Sequence, residues 1–280
     1  MITVNDGIIT KYYDKKDNFP ALAEVGDYFI VTPNGTVDEP IKRVYQYFGE
    51  WKLIYSNNDE LNGKDMICAG DSITANVNAT SANWCDVVAW NFGMNRVKKI
   101  RTTNVNYANS GTTAINLPNP IAPNVPNLVQ ITELTPNFNP AKDGLFFMAY
   151  LTNDVGLNLP NFTVQKYKDD LGQALTNLLN KGWPVERIKV IGRYYCPIQG
   201  LNYTTVAGSG VTIPATYERY DEFGIGAEEV CNLFGVQCFD LNETLKYVAG
   251  ADSHFDNVKR HFDSFMHSHG ARKIIDDMII

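Results

Sequence analysis

The sequence is short of positive charge, of long apolar stretches and of close-spaced cysteine pairs, and each shortage closes off a class of function. Lys and Arg number 24 against 31 Asp and Glu, for a net charge of −7, and no basic run or basic helix breaks that balance. Nucleic acid and anionic membrane are therefore poor partners. No apolar run approaches the ~20 residues of a membrane span. No N-terminal stretch joins basic residues, an apolar core and a small-residue cleavage site, so a conventional signal peptide is not expected. The five cysteines (Cys68, Cys85, Cys196, Cys231, Cys238) form an odd set without close-spaced metal pairs. Reduced, buried thiols are expected rather than a disulfide framework. Sequons such as those at Asn34 and Asn78 mean little without a secretory signal.

What is present divides into two parts. Residues 1–62 carry strand signals at Tyr28–Thr32, Arg43–Phe48 and Trp51–Tyr55, a small aromatic-rich β-meander of marginal stability by itself. Asn57–Lys64 is polar and reads as a linker. Residues 63–280 alternate strands and helices, which predicts a parallel sheet covered on both faces. The expected strands are Met66–Ala69, Val105–Ala108, Leu145–Leu151, Arg187–Tyr194 and Val236–Leu241. The expected helices are Trp84–Phe92, Val164–Asn180, Tyr217–Phe234 and a closing helix from about Ser268. Asn116–Asn127 and Tyr195–Pro214 are too rich in breakers to be elements.

Polar residues collect where strands end. The first strand runs into Gly70-Asp71-Ser72, a second into Asn109-Ser110-Gly111, and a third into Thr152-Asn153-Asp154. In a parallel sheet these ends share one edge, where open α/β sheets hold their ligands. A strand followed by a polar turn explains each cluster singly; their order along the chain favours a site. All four histidines (His254, His261, His267, His269) fall within sixteen residues before the closing helix, so a base supplied there can reach the same edge. A serine becomes a nucleophile when an imidazole accepts its proton and a carboxylate orients that imidazole. The segment also offers Asp252, Asp256 and Asp263 as metal ligands beside the histidines, but no spacing matches HExxH. No metal and no cofactor are expected.

Taken together, Cys68-Ala69-Gly70-Asp71-Ser72-Ile73-Thr74, Ser110-Gly111-Thr112-Thr113 and Leu151-Thr152-Asn153-Asp154 resemble the first three blocks of the SGNH (GDSL-type) hydrolase family over residues ~63–280. The resemblance implies a flavodoxin-like three-layer α/β/α fold and ester hydrolysis through an acyl-serine. It implies Ser72 as nucleophile and the Ser72 amide, the Gly111 amide and the Asn153 side chain as oxyanion donors. Leu151 stands where the family has glycine. The family's last block, Asp-x-x-His with a glycine about five residues on, fits loosely. Asp263 and His267 are the expected orienting carboxylate and base, since His267 directly precedes the expected closing helix. His261 and His269 remain open as alternatives.

The family's substrates include acetylated carbohydrates, lipids and thioesters. The polar loops at Asn116–Asn127 and Tyr195–Pro214 favour O-acetyl groups on a glycan. Gly26–Val31 and Val44–Trp51 are similar to small β-modules of bacteriophage tail and fibre proteins, which implies virion or tail proteins as partners for residues 1–62. A glycan-binding or structural protein on the same scaffold, without turnover, is the reading of a different class, and the loose Asp/His block is what supports it.

Overall fold

The computed structural model describes residues 2–5, 8–13, 22–31, 43–49, 51–56, 60–75, 82–157, 159, 161–195, 216–248, 251–255 and 261–278. The chain divides into two compact units, Met1–Asn62 with Asn91–Gly93, and Gly63–Trp90 with Met94–Ile280.

The first unit is a five-stranded sheet in the order β1-β2-β3-β4-β5: β1 (Ile2–Asn5), β2 (Ile8–Tyr13), β3 (Tyr28–Val31), β4 (Arg43–Tyr47) and β5 (Trp51–Ser56). Its last three strands form the antiparallel meander that the alternation predicts, while β2 joins β3 in parallel. Phe29 and Tyr45 are buried on it and meet edge to face at 6.2 Å, a geometry worth ~1 kcal/mol beyond burial.

The second unit carries a five-stranded, wholly parallel sheet: β6 (Asp65–Gly70), β7 (Asn95–Val97), β8 (Asp143–Ala149), β9 (Ile188–Arg193) and β10 (Gln237–Asp240), ordered β10-β9-β8-β6-β7. Counted within the unit this is the 2-1-3-4-5 order of flavodoxin-like folds, whose switch point lies between the first and third strands. Here those are β6 and β8. Every residue of both is buried, as strands covered on two faces must be, and this explains their unbroken apolar runs.

On one face, Ile67, Ala69, Phe146, Met148 and Val190 pack into a core with side chains of α2 (Leu128–Leu134), α4 (Val164–Asn180) and α5 (Tyr217–Phe234). The stripe Tyr167, Leu171, Ala174, Leu175, Leu178 buries α4, and the Thr163 hydroxyl caps it by accepting the Lys166 amide. The other face takes α1 (Trp84–Asn91), whose Trp84 ring stands edge-on to Phe147 at 5.4 Å.

Two expectations need correction. Val105–Ala108 makes only isolated bridges (Lys99 with Asn106, Gly70 with Ala108), and the edge strand is β7. Asn116–Asn127 forms no regular element, as its breakers predict; it is a run of turns leading into a capping box between Asn127 and Gln130. The closing helix, α7 (Ser264–Asp277), which follows the short α6 (Asn242–Lys246), begins four residues earlier than expected, since the Asp263 carboxylate caps it by accepting the Phe265 and Met266 amides. Cys68, Cys85, Cys231 and Cys238 are free thiols, the first three buried. Cys196 and most of Tyr195–Pro214 lie outside the described residues. No described helix is long and apolar enough to cross a membrane.

Candidate active site

The turn that carries Ser72 is built by what its residues lack. A Cβ at Gly70 would run into the Thr74 side chain and stand 2.9 Å from the Ala149 carbonyl oxygen, so only glycine lets the end of β6 lie against β8. Asp71 Oδ1 then accepts the Ile73 amide at 3.0 Å and the Asp71 carbonyl accepts the Ala75 amide at 2.9 Å, turning the chain back at once. The far end of the turn is tied down by residues with no motif. The Thr74 carbonyl accepts Asn83 Nδ2 (2.9 Å) and Arg96 Nη2 (2.8 Å), and Arg96 Nη1 also meets Asp86 at 2.9 Å and Asn83 Oδ1 at 2.8 Å. Ser72, only 4% exposed, emerges from this turn.

Along the same edge, the loop 109–116 is laced to the ends of β6 and β8. The Asn109 amide and the Thr112 hydroxyl both donate to the Gly70 carbonyl, at 3.0 and 3.2 Å. Asn153 Nδ2 donates to the Thr112 carbonyl at 2.7 Å, and the Asp154 carboxylate accepts the Ala114 and Ile115 amides at 3.0 and 2.8 Å. Gly111 holds φ +80°, and Asn119 Nδ2 donates to its carbonyl at 2.7 Å. Ser72, Gly111 and Asn153 thus come together at the switch point although 81 residues separate the first from the last.

Leu151, where the resemblance expects glycine, keeps the backbone that glycine would take: its φ is +156°. Such a conformation costs a bulky residue on the order of 1–3 kcal/mol. Burying the side chain to 1% exposure in the core returns about 2 kcal/mol. The short helix that follows, α3 (Thr152–Leu157), still carries Asn153 and Asp154 into the site.

The histidine nearest the serine is His261, whose Nε2 lies 2.8 Å from Ser72 Oγ. This corrects the expectation of His267. Because α7 starts at Ser264, His267 falls inside its first turn on the buried face. It is wholly buried there, with Nδ1 accepting the Trp84 amide at 3.4 Å and the Phe262 ring at 4.8 Å. Desolvation takes its pKa down to about 3, which leaves it a neutral core residue.

Asp263 is corrected with it. Its Oδ1 caps α7, and its Oδ2 is 2.8 Å from His254 Nδ1. Partial burial opposes ionisation, but the His254 ring and the two amides hold its carboxyl below the usual range. His269 bonds back to the Phe265 carbonyl at 3.0 Å. His261 is carried beside an aromatic anchor: Phe255 and Phe262 bridge antiparallel, and the Phe262 ring meets Phe255 and Tyr194, each at 5.5 Å. Residues 256–260 lie outside the described residues.

Two further carboxyls sit under the site. Burial pushes Asp71 up to about 7, against its amide bonds. It pushes Asp154 to about 7 as well, against the Ala114 and Ile115 amides. Sequence reading found both through their motifs, but it missed Asn83, Arg96 and Asn119. Their partners are backbone carbonyls that only the folded chain brings near, so no local spacing announces them. Among the described residues, no three His, Cys, Asp or Glu side chains gather as a metal-holding group.

No protein-family profile matches the sequence, and no curated protein sequence matches it. Solved structures do match in fold. A member of the lipolytic protein G-D-S-L family from Veillonella parvula aligns over 77% of this chain and 98% of its own, at 14% identity and a TM-score of 0.53. A carbohydrate acetylesterase from Sinorhizobium meliloti aligns over 76% and 97%, at 15% identity and a TM-score of 0.52. The native aryl esterase of M. smegmatis aligns over 78% and 100%, at 14% identity and a TM-score of 0.53. The fold is the SGNH-type α/β hydrolase fold.

Proposed function

We propose that the protein is a serine esterase. The observation that carries this is the 2.8 Å approach of His261 Nε2 to Ser72 Oγ at the sheet's switch point. Ser72 attacks the ester carbonyl while His261 takes its proton, and the carbonyl oxygen becomes an oxyanion. The Ser72 and Gly111 amides and the Asn153 side chain stabilise that oxyanion, each worth about 3–4 kcal/mol in the transition state. Collapse of the intermediate expels the alcohol, which His261 protonates. Water, deprotonated by His261, then releases the acid and restores Ser72. Asp263 is occupied elsewhere, so Asp252 and Asp256 are the acidic residues of this segment to test as orienting carboxylates.

The substrate we favour is an O-acetyl group on a glycan, as the polar makeup of Asn116–Asn127 suggests; the carbohydrate acetylesterase of like fold is in keeping with it. Residues 1–62 act in this reading as an attachment module, for which a phage tail or virion is the setting that their sequence suggests. The test is hydrolysis of a small chromogenic acetyl ester, with a serine-directed phosphonate locating the nucleophile. Turnover that survives Ser72→Ala, or an adduct on another residue, would refute the assignment. Deleting residues 1–62 should spare the chemistry while abolishing attachment.

A further inference from the structure

We propose that Asn119, which lies outside every motif, is a positioning residue for this hydrolysis: by holding the Gly111 carbonyl it fixes ψ at Gly111, and through that glycine it steadies the preceding peptide, whose Gly111 N–H is aimed at the oxyanion. The inference rests on the esterase reading above and deepens it at one donor.

The need for a lock follows from Gly111 itself. Its φ of +80° is one that glycine adopts easily, but glycine also adopts many others, so the residue that can take this geometry is the one least able to hold it. Oxyanion stabilisation depends on donors fixed before the reaction, within a few tenths of an ångström of where charge develops. Something outside the glycine must supply the rigidity.

Asn119 is built to do so. It is 9% exposed, and both ends of its side-chain amide are used. Nδ2 donates to the Gly111 carbonyl at 2.7 Å, while Oδ1 accepts the Ile121 amide at 3.0 Å and the Ala122 amide at 3.3 Å. One side chain therefore ties Gly111 to the turn beside it. That turn closes over the open face of the glycine: a Cβ at Gly111 would meet Ala122 Cβ at 3.3 Å and Ile121 Cδ1 at 3.5 Å. Ile121 is 37% exposed there. From ordinary bond lengths its Cδ1 lies within about 6 Å of the Gly111 nitrogen, in reach of an ester bound to that amide. Asn153 and Asp154 hold the loop from the other side through Thr112, Ala114 and Ile115, which leaves Gly111 as the point that Asn119 secures.

The test compares Asn119→Ala and Asn119→Asp with the wild type on a p-nitrophenyl acetate assay, reading kcat and KM separately. The aspartate keeps the shape and the acceptor for Ile121 and Ala122 but has no N–H to give Gly111. Both variants should lose about 30–300-fold in kcat, near the 10²–10³ seen when an oxyanion donor is removed. KM should stay within threefold. Thermal melts should show both folded; should the alanine variant fail to fold, the aspartate variant decides. An Asn119→Asp enzyme within threefold of wild-type kcat would overturn the proposal, as would a loss carried by KM. A wild type without turnover or Ser72 labelling would remove the esterase reading itself, and this inference with it.

Discussion

The two halves of the candidate site are held in different ways. The serine half is held from beneath by buried polar contacts: Gly70 against β8, Asp71 folded onto Ile73, and the Thr74 carbonyl gripped by Asn83 and Arg96. The histidine half hangs from an aromatic anchor at Phe255 and Phe262 and from a helix cap at Asp263 that is partly open to solvent. A turn defined by steric exclusion admits few residues and so leaves a motif. An anchor of rings and a cap admits many, and the chemistry-bearing histidine can sit at any of several positions near it.

The sharpest way to break that comparison is to swap the roles of the two histidines. His261→Ala should lower kcat by on the order of 10⁴-fold or more while the protein stays folded, because a nucleophile without its base loses most of its rate. His267→Ala should do the reverse. It empties a fully buried site against Trp84 and Phe262, at a cost of about 2–4 kcal/mol in stability, while the remaining folded enzyme turns over within a few-fold of wild type. Equal rate losses in well-folded variants would mean that His267 also serves the chemistry.

Next in size is Arg96. Its guanidinium is mostly buried and bonds the Asp86 carboxylate, Asn83 and the Thr74 carbonyl. Arg96→Met strands the Asp86 charge, and removing one partner of a largely buried pair costs about 3 kcal/mol. Urea unfolding should read this loss, with a smaller fall in kcat as the serine turn loosens. A variant as stable as the wild type would mean that the turn is held by Gly70 and Asp71 alone.

These residues also mark how far the sequence could be read. The sheet and the meeting of its strand-end clusters, which carry Ser72, Gly111 and Asn153, were legible because each depends on local backbone: an excluded Cβ, a positive φ, a carboxylate capping neighbouring amides. Which histidine lies beside Ser72 was misread by one helix boundary. The closing helix expected from about Ser268 has its apolar stripe at Ile274, Ile275, Met278 and Ile279. Extended backwards, the same stripe runs 275, 274, 271 and 267, which is helical spacing and assigns His267 to the core. Asp263 ahead of Ser264 was a cap signal of the usual kind. Arg96 and Asn119 were not legible at all, since what each binds is a carbonyl distant in the chain or on an irregular loop.

A pH titration of stability sharpens the contrast between the two histidines. His267, held down to about 3 by burial, binds its proton more readily in the unfolded chain, where the ordinary value is about 6.5. Its contribution is therefore complete above pH 6.5 and declines as the pH falls toward 3. Asp71 and Asp154, pushed up to about 7, act the other way, lending stability at low pH that is lost as the pH rises through 7. The difference between wild type and His267→Asn isolates the histidine: between pH 7 and 5 the wild type should lose about 2 kcal/mol relative to the variant. Parallel curves would show that His267 is not buried neutral.

The smallest expected effect separates a cap from a catalytic carboxylate. Asp263 accepts the Phe265 and Met266 amides through Oδ1 and pairs with His254 through Oδ2, and neither contact involves the imidazole beside Ser72. Asparagine at this position keeps an acceptor for the amides and loses only the charge facing His254, an exposed pair worth less than about 1 kcal/mol. Alanine loses the cap as well, typically about 1 kcal/mol more. Asp263→Asn should thus melt near the wild type, Asp263→Ala a few degrees lower, and both should keep kcat within a few-fold. An orienting carboxylate behaves otherwise, since its replacement by the amide favours the wrong imidazole tautomer and costs about 10⁴ in kcat with the fold intact. A large rate loss in a stable Asp263→Asn enzyme would therefore return Asp263 to the chemistry and require the His254 contact to open during turnover. A near-normal rate leaves it as the residue that starts α7 at Ser264, and so keeps His267 in the core and His261 at the serine.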